Sequence, residues 1–157
     1  PYSSKFYTWP IMVRPVYYWV KSFEDGKTAR IYLLGNPILW WSMSIALFIA
    51  IFAWRPKESE QKLILYTGYI FNLLPFIVVP RVLFLYHYLA ALIFSVSIGA
   101  LWIEDWYSKK PTKLKFLFLV SLILIIIGSS IFFLPLSYGL ALTDPQYKLR
   151  VWLKSWI

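Results

Sequence analysis

The sequence contains no cysteine and a single histidine, His87. Without cysteine the chain can form neither a disulfide nor a Cys-ligated metal site, so cysteine usage does not indicate the redox state of its compartment. One histidine alone cannot provide the ligand set of a typical zinc site. We therefore expect no metal site and no bound cofactor within this chain.

Acidic residues are also scarce, since seven Asp and Glu stand against sixteen Lys and Arg, for a formal net charge of +9. A basic excess can serve nucleic-acid binding, but these cations lie between apolar stretches and no nucleic-acid-binding motif is visible. Loops that set membrane orientation explain the excess better. We expect no nucleic-acid partner. The sequence also lacks a serine-nucleophile motif and a phosphate-cradling glycine loop.

Apolar residues are abundant instead, at 60% of the chain, above the roughly 45–50% of soluble domains. Four apolar runs of roughly 17 to 22 residues could each cross a bilayer core of about 30 Å as a helix. They are residues 38–54, 63–79, 82–103 and 114–134. Four buried helices of a soluble protein would need a polar face, and membrane strands would alternate. The sequence therefore predicts an all-α integral membrane protein, a bundle of four transmembrane helices.

The spans divide the chain into an external interfacial segment (1–36), the membrane region (37–138) and an external basic, aromatic tail (139–157). Tryptophans of the two outer segments, including Trp9, Trp152 and Trp156, predict anchoring at the headgroup level. Because the chain begins with Pro1 rather than Met, we interpret it as a piece of a longer protein.

Cations in the short connections predict the orientation. Those between spans one and two and between spans three and four are Arg55, Lys57, Lys62, Lys109, Lys110, Lys113 and Lys115. The connection between spans two and three carries only Arg81. The positive-inside rule then places the basic connections in the cytoplasm, with Arg81 and both ends of the chain outside.

The stretch PRVLFLYHYLAAL, residues 80–92, places Arg81 and His87 inside an apolar run. Pro75 removes a backbone donor, so span two should unwind there. Pro80 is suited to the first helical position of span three. Unwound backbone at membrane depth persists only where protein covers it or where it lines a wet cavity. We therefore interpret this connection as a candidate binding site.

His87, Ala91, Ser95 and Gly99 follow one another at intervals of four and so lie on one face of a helix. Because the last three are small, this face should pack closely against a neighbouring helix and direct His87 into the bundle. Arg81 could bind an anionic phosphate at the headgroup level, with His87 donating a hydrogen bond to it. Structural alternatives stay open. The imidazole could simply bond a nearby carbonyl, and Arg81 could be a membrane anchor.

Arg14, in WPIMVRP, is a second external cation, and it too could either bind a phosphate or serve as a membrane anchor. Asn36 is placed as the N-cap of span one, with Pro37 at the first helical position. The few external carboxylates, Glu24, Asp25 and Asp144, lie in turn-like contexts. The chain thus offers cations and cavity walls but no convincing catalytic base.

Four stretches in order resemble the C-terminal four-helix region of protein O-mannosyltransferases, which are membrane glycosyltransferases of the GT-C type with a lipid-phosphate donor. They are PYSSKFYTWPIMVRP, LLGNPILWW, LLPFIVVPRVLFLYHYLAAL, and LPLSYG with a terminal WLKSWI. The resemblance covers nearly the whole chain. It implies a multi-span enzyme of which this chain is the C-terminal part.

The resemblance further implies transfer of mannose from polyprenyl- or dolichyl-phosphate-mannose to Ser or Thr hydroxyls of exported proteins, with inversion at the anomeric carbon. The family's acidic catalytic residues lie in the N-terminal half of the enzyme, so this chain should hold no catalytic residue and be inactive alone. Its partners would be that N-terminal half, the donor, exported acceptor proteins and membrane lipid. Arg14-Pro15 and the missing soluble insert favour a prokaryotic plasma membrane over the endoplasmic reticulum.

Carried over by position, the resemblance places Arg81, Tyr86, His87 and Tyr88 near the phosphate and sugar of the donor, with Arg14 as a further candidate. Ala90 stands where the family often has proline, which bears on a helix kink rather than on the chemistry.

Two alternatives remain open: a non-catalytic scaffold or transporter module, and a related lipid-linked glycosyltransferase with another sugar or acceptor. A cavity shared by Arg81 and His87 would argue against the scaffold. Only the rest of the protein could decide between sugars.

Overall fold

The computed structural model describes residues 3–54 and 59–157. Pro1, Tyr2 and residues 55–58, which include Arg55 and Lys57 of the first predicted cytoplasmic connection, lie outside the described residues. Within those ranges the principal helices are α1 Pro37–Ala53, α2 Ser59–Leu73, α3 Leu89–Lys109, α4 Lys113–Tyr138 and the short α5 Asp144–Lys148. Three strands form one antiparallel sheet: β1 Val16–Ser22, β2 Thr28–Leu33 and β3 Ala141–Leu142. Short 3₁₀ turns occupy Phe6–Ile11, Leu74–Ile77, Leu85–Tyr88 and Lys154–Trp156.

The long helices correspond to the predicted spans. Helix α4, and α3 with its preceding 3₁₀ turn, are long and apolar enough to cross a membrane. Helix α1 is apolar over 17 residues, and α2 continues through the 3₁₀ turn Leu74–Ile77, in which Pro75 lies. Only 6% of the most apolar window of α4 is buried within the chain, which suits a helix surrounded by lipid.

The start of the third span differs from the prediction. Pro80 does not open a helix, because α3 begins only at Leu89 and residues 79–84 lack helical structure. The Leu83 carbonyl accepts a hydrogen bond from the Ser4 N–H at 2.9 Å, and Phe84 has extended backbone. The third helix therefore starts later than predicted, and it runs to Lys109 rather than ending near Ile103.

The predicted stripe of small residues is the seam between α1 and α3. Ala91, Ser95 and Gly99 are buried. A Cβ added at Gly99 would lie 2.9 Å from the Met43 Sδ, so the two helices approach closely there. Tyr88, fully buried against Trp40, heads this seam in place of the half-buried His87.

A small sheet covers one end of the bundle, which the all-helical prediction for this region did not include. Strands β1 and β2 form a hairpin, and β3 from the tail pairs with β2 at Thr28 and Ala29. Helix α5 packs on the sheet, where the Tyr32 and Tyr147 hydroxyl oxygens lie 2.7 Å apart. Burial beside Tyr147 raises the pKa of the Tyr32 hydroxyl. The tail is thus folded onto the protein.

Two of the four tryptophans in the outer segments are buried instead of lying at the headgroup level, whereas Trp19 is 43% exposed. Trp9 is 0% exposed, and its carbonyl accepts from the Trp40 Nε1 at 2.9 Å. Trp156 is 3% exposed, and its Nε1 donates to the Met12 carbonyl at 3.0 Å. The Trp9 Nε1 donates to the Ser4 Oγ at 2.9 Å and the Trp156 Nε1 to backbone, so each indole satisfies its N–H within the protein and neither ring needs the interface. Trp152 remains 42% exposed.

Asn36 has two roles. Its Oδ1 accepts from the Leu39 N–H at 3.0 Å, which caps α1, and Pro37 occupies the first turn. Its Nδ2 donates to the Ile126 carbonyl at 2.7 Å and to the Ser130 Oγ at 2.6 Å, both on α4. One side chain therefore begins α1 and joins it to α4.

We expect Asn36→Ala to lower the free energy of unfolding by about 2 kcal/mol, because it removes a cap worth about 1 kcal/mol and two partly exposed hydrogen bonds to α4 that together contribute about as much. Asn36→Ser keeps a capping oxygen and should lose only about half as much. Thermal unfolding of the full-length protein measures both. Equal losses for the two substitutions would contradict the capping role of the Oδ1, and an unchanged stability of Asn36→Ser would contradict the role of the Nδ2 bonds.

Candidate functional site

A hollow of about 510 Å³ lies between the N-terminal segment and the connection from α2 to α3. Residues 3–7 form one wall, and Phe76, Ile77 and residues 79–83 form the other. The 3₁₀ turn that contains Pro75 and the non-helical connection after it supply the second wall, so the unwound connection does line a cavity.

Buried contacts hold the N-terminal wall in place. Ser4 donates its N–H to the Leu83 carbonyl at 2.9 Å, and its Oγ accepts from the Trp9 Nε1 at 2.9 Å. Trp9 is fully buried and is bonded in turn by Trp40 of α1. The position of residues 3–7 is therefore set by the packed core beneath them.

Two cations line this hollow, Arg81 and Lys5, and both are exposed. Neither has a carboxylate partner among the described residues, whose ion pairs are Lys27–Asp25, Arg30–Asp144 and Lys109–Asp105. Ser3 and Ser4 add hydroxyls to the same wall as Lys5. A hollow with two uncompensated cations and two hydroxyls is suited to an anion such as a phosphate.

Sequence reasoning identified Arg81 but missed Lys5. Arg81 is conspicuous because it interrupts an apolar run, whereas Lys5 lies 76 positions earlier in a segment rich in charges and aromatics. The available signal was that Lys5 sits inside PYSSKFYTWPIMVRP, a stretch that carries the family resemblance.

His87 is not among the residues that line the hollow. Its ring stacks on Tyr86, with centroids 4.4 Å apart, and meets the edge of Phe76 at 5.2 Å. Because Phe76 also lines the hollow, one ring separates His87 from that space. The sequence suggested a cavity shared by Arg81 and His87. In the described residues only Arg81 lines the hollow.

The Nδ1 of His87 lies 3.0 Å from the Phe84 carbonyl oxygen and 3.3 Å from the Phe84 nitrogen. The structural alternative, in which the imidazole only bonds nearby backbone, therefore holds for one of the two ring nitrogens. When Nδ1 accepts from the Phe84 N–H, the neutral ring carries its proton on Nε2 and can donate it to a ligand.

The remaining predicted residues occupy different surroundings. Tyr86 is 42% exposed and stacks on His87. Tyr88 is fully buried, with its hydroxyl oxygen 3.2 Å from that of Tyr69, so it supports the core and lines no part of the hollow. Arg14 is half-buried beyond the first 3₁₀ turn and also lies outside the lining of the hollow.

A larger hollow of about 910 Å³ opens between the first 3₁₀ turn, α1 and the tail. Its walls are mostly apolar and include Ile45, Phe48 and Ile49, with Lys154 as its one cation. Such walls suit hydrocarbon rather than a phosphate. The smaller, polar hollow at Arg81 is therefore the candidate site.

Residues 1–156 match the family described as the C-terminal four TMM region of protein-O-mannosyltransferase. Protein O-mannosyl-transferase 2 of Drosophila pseudoobscura pseudoobscura is 26% identical over 98% of this chain and 28% of its own length. The polyprenol-phosphate-mannose–protein mannosyltransferase of Corynebacterium glutamicum is 24% identical over 99% of this chain and 32% of its own length.

A solved structure has the same fold. One chain of the S. cerevisiae protein O-mannosyltransferase Pmt1-Pmt2 complex bound to the sugar donor aligns with a TM-score of 0.79 at 24% identity, over 99% of this chain and 24% of that chain. The chain therefore spans less than a third of the length of the relatives named here.

We expect Trp9→Phe to loosen the N-terminal wall, because it removes the indole N–H that Ser4 accepts while keeping most of the buried ring. Hydrogen exchange of residues 3–8 in the full-length protein should become faster by about 5- to 10-fold, the equivalent of about 1 kcal/mol. Ser4→Ala should have a similar effect, and the double substitution should add little to either. Fully additive effects would show that the bond does not hold this wall.

Proposed function

The chain belongs to the protein O-mannosyltransferase family, in which it forms the C-terminal four-transmembrane region, and from this premise we propose its function. We propose that the whole enzyme transfers mannose from a polyprenyl- or dolichyl-phosphate-mannose donor to Ser or Thr hydroxyls of exported proteins. The names of the relatives, dolichyl-phosphate-mannose– and polyprenol-phosphate-mannose–protein mannosyltransferase, support this donor class. The single structural observation that supports it is the hollow lined by the uncompensated Arg81.

This region would supply the phosphate side of the active site. As mannose leaves, the bond between its anomeric carbon and the phosphate oxygen breaks, and the electron pair stays on that oxygen. The Arg81 guanidinium would stabilise the charge that develops there. Tyr86 and the Nε2 of His87, on the far side of Phe76, would reach the donor only where its headgroup extends past that ring.

The base that takes the acceptor hydroxyl proton would come from the N-terminal half of the enzyme. At the end of the bundle that carries Arg81, Asp25 is bonded to Lys27 and Asp144 faces Arg30. The hydrogen bond from Lys27 lowers the pKa of the Asp25 carboxyl, which makes it a weaker base. Glu24 lies in the exposed turn between β1 and β2. The N-terminal half is therefore the partner that completes the site.

Membership of this family makes the chain part of an integral membrane protein. We propose that the Arg81 connection, the sheet and the tail face the exterior, in agreement with the four lysines between α3 and α4 on the other side. We further propose a prokaryotic plasma membrane. The Corynebacterium alignment extends over 167 residues, near the 157 of this chain, whereas two fly relatives require 184 and 212. The bacterial relative therefore needs fewer inserted residues to align with this chain, which favours a prokaryotic protein.

We expect Arg81→Ala in the full-length enzyme to lower kcat/KM for the lipid donor by about 30- to 150-fold, the loss of about 2–3 kcal/mol for a charged hydrogen bond. Arg81→Lys keeps the charge and should retain part of the activity. His87→Ala should lower kcat/KM by about 10-fold. Mass-spectrometric detection of mannose on a Ser/Thr peptide measures all three.

Lys148→Ala, an exposed cation of α5 away from the hollow, is the matched control and should behave as wild type. Normal kinetics in both the Arg81 and the His87 variants would remove the proposed site. Failure of the wild-type enzyme to modify hydroxyl side chains with mannose from either lipid donor would refute the function itself.

A further inference from the structure

We propose that Lys5 is a second phosphate-binding residue, which acts with Arg81 to hold the doubly charged lipid phosphate left behind when the sugar departs. The inference deepens the proposed function and rests on it. It assigns a role to the N-terminal wall of the hollow, which the sequence had marked only as an interfacial segment.

The position of Lys5 is fixed although its side chain is exposed. Its carbonyl accepts from the Thr8 N–H at 2.9 Å and from the Thr8 Oγ1 at 2.7 Å, which starts the 3₁₀ turn. The preceding residue, Ser4, is bonded to Leu83 and to the buried Trp9. The backbone of Lys5 is therefore held against the connection that carries Arg81, and both side chains line one hollow.

The charge around the hollow is not balanced within the described residues. Neither Lys5 nor Arg81 has a carboxylate within ion-pair distance there, although three other cations of the chain do. The nearest aromatic partner of the Lys5 Nζ is the Tyr7 ring, at 5.9 Å, the outer limit of a cation–π contact. Because the two cations line one hollow without an acid, an anion placed between them would be attracted to both.

The reaction itself creates a need for two cations. The donor is a phosphodiester with one negative charge, which Arg81 can balance. Transfer breaks the bond between the anomeric carbon and the phosphate oxygen, forms the bond to the acceptor oxygen and leaves a phosphate monoester with up to two negative charges. A second cation therefore interacts more strongly with the departing phosphate than with the bound donor, which is the condition for accelerating the step.

The chemistry of the two side chains suits a phosphate held by two cations. Arg81 presents a rigid fork that can bind two phosphate oxygens at once, whereas Lys5 brings a mobile point charge on a long stem. Ser4 uses its Oγ to accept from Trp9, so its own O–H can donate toward the hollow. The hollow thus has a donor set for all three free oxygens of a monoester.

The test uses the purified full-length enzyme in nanodiscs of neutral lipid, with three probes: polyprenyl phosphate, the neutral polyprenol of equal length, and inorganic phosphate. We expect Lys5→Met to raise the Kd of polyprenyl phosphate about 10-fold and the KM of the phosphodiester donor by no more than about 3-fold, with a fall in kcat. Polyprenol binding should not change. Lys5→Arg should stay within about 3-fold of wild type for polyprenyl phosphate.

Lys148→Met is the matched control, since it removes an exposed lysine away from the hollow. Unchanged binding of polyprenyl phosphate by Lys5→Met, or an equal loss for the monoester and the diester, would overturn the inference. Displacement of bound polyprenyl phosphate by an equal concentration of inorganic phosphate would also overturn it, because the hollow would then serve a soluble anion.

The binding assay separates this inference from the proposed function. Weaker phosphate binding in Arg81→Met but not in Lys5→Met would refute the role of Lys5 and leave mannosyl transfer in place. Lys5-dependent binding of polyprenyl phosphate by an enzyme that transfers no mannose would refute the proposed function while the two-cation site stands. A thermal-unfolding curve of each variant establishes that it is folded.

Discussion

One backbone hydrogen bond, from the Ser4 N–H to the Leu83 carbonyl, joins the two walls of the candidate site. It ties the non-helical connection after Pro75 to the N-terminal segment, two residues from Arg81. The bond is supported from below, because the Trp9 indole holds Ser4 and is itself bonded by Trp40. A polar site of exposed residues is thereby positioned by buried aromatic packing, which is rigid because interiors are close-packed.

The two cations of the candidate site, Lys5 and Arg81, have no carboxylate partner among the described residues. Three cations elsewhere in the described chain are paired with carboxylates; Arg30, for example, lies 4.0 Å from an Asp144 oxygen and 4.1 Å from the Tyr147 ring. At the hollow this compensation is missing, so the potential there is positive and attracts anions.

Much of the helical fold and part of the candidate site could be predicted from the sequence. The apolar runs correspond to α1–α4, the Asn36 cap and the unwinding at Pro75 follow from local chemistry, and the four motifs indicated the family that the comparison confirmed. The sheet could not be predicted, because β1 and β2 lack clean alternation and β3 has only two residues, whose partners on β2 lie 112 and 114 positions earlier. The burial of Trp9 and Trp156 depends on tertiary partners that local patterns do not contain. Lys5 was missed for the same reason, since only the fold brings it to Arg81.

The contact between Trp156 and Met12 joins positions 144 residues apart, and Ser155 donates to the Val13 carbonyl beside it. Contacts of such separation form late, because a long loop must close before they stabilise anything. The four helices can therefore enter the bilayer and pair with their neighbours while the segment before β1 is still unsettled. We therefore expect the N-terminal wall of the hollow at Arg81 to settle last, after the tail has docked on the segment before β1.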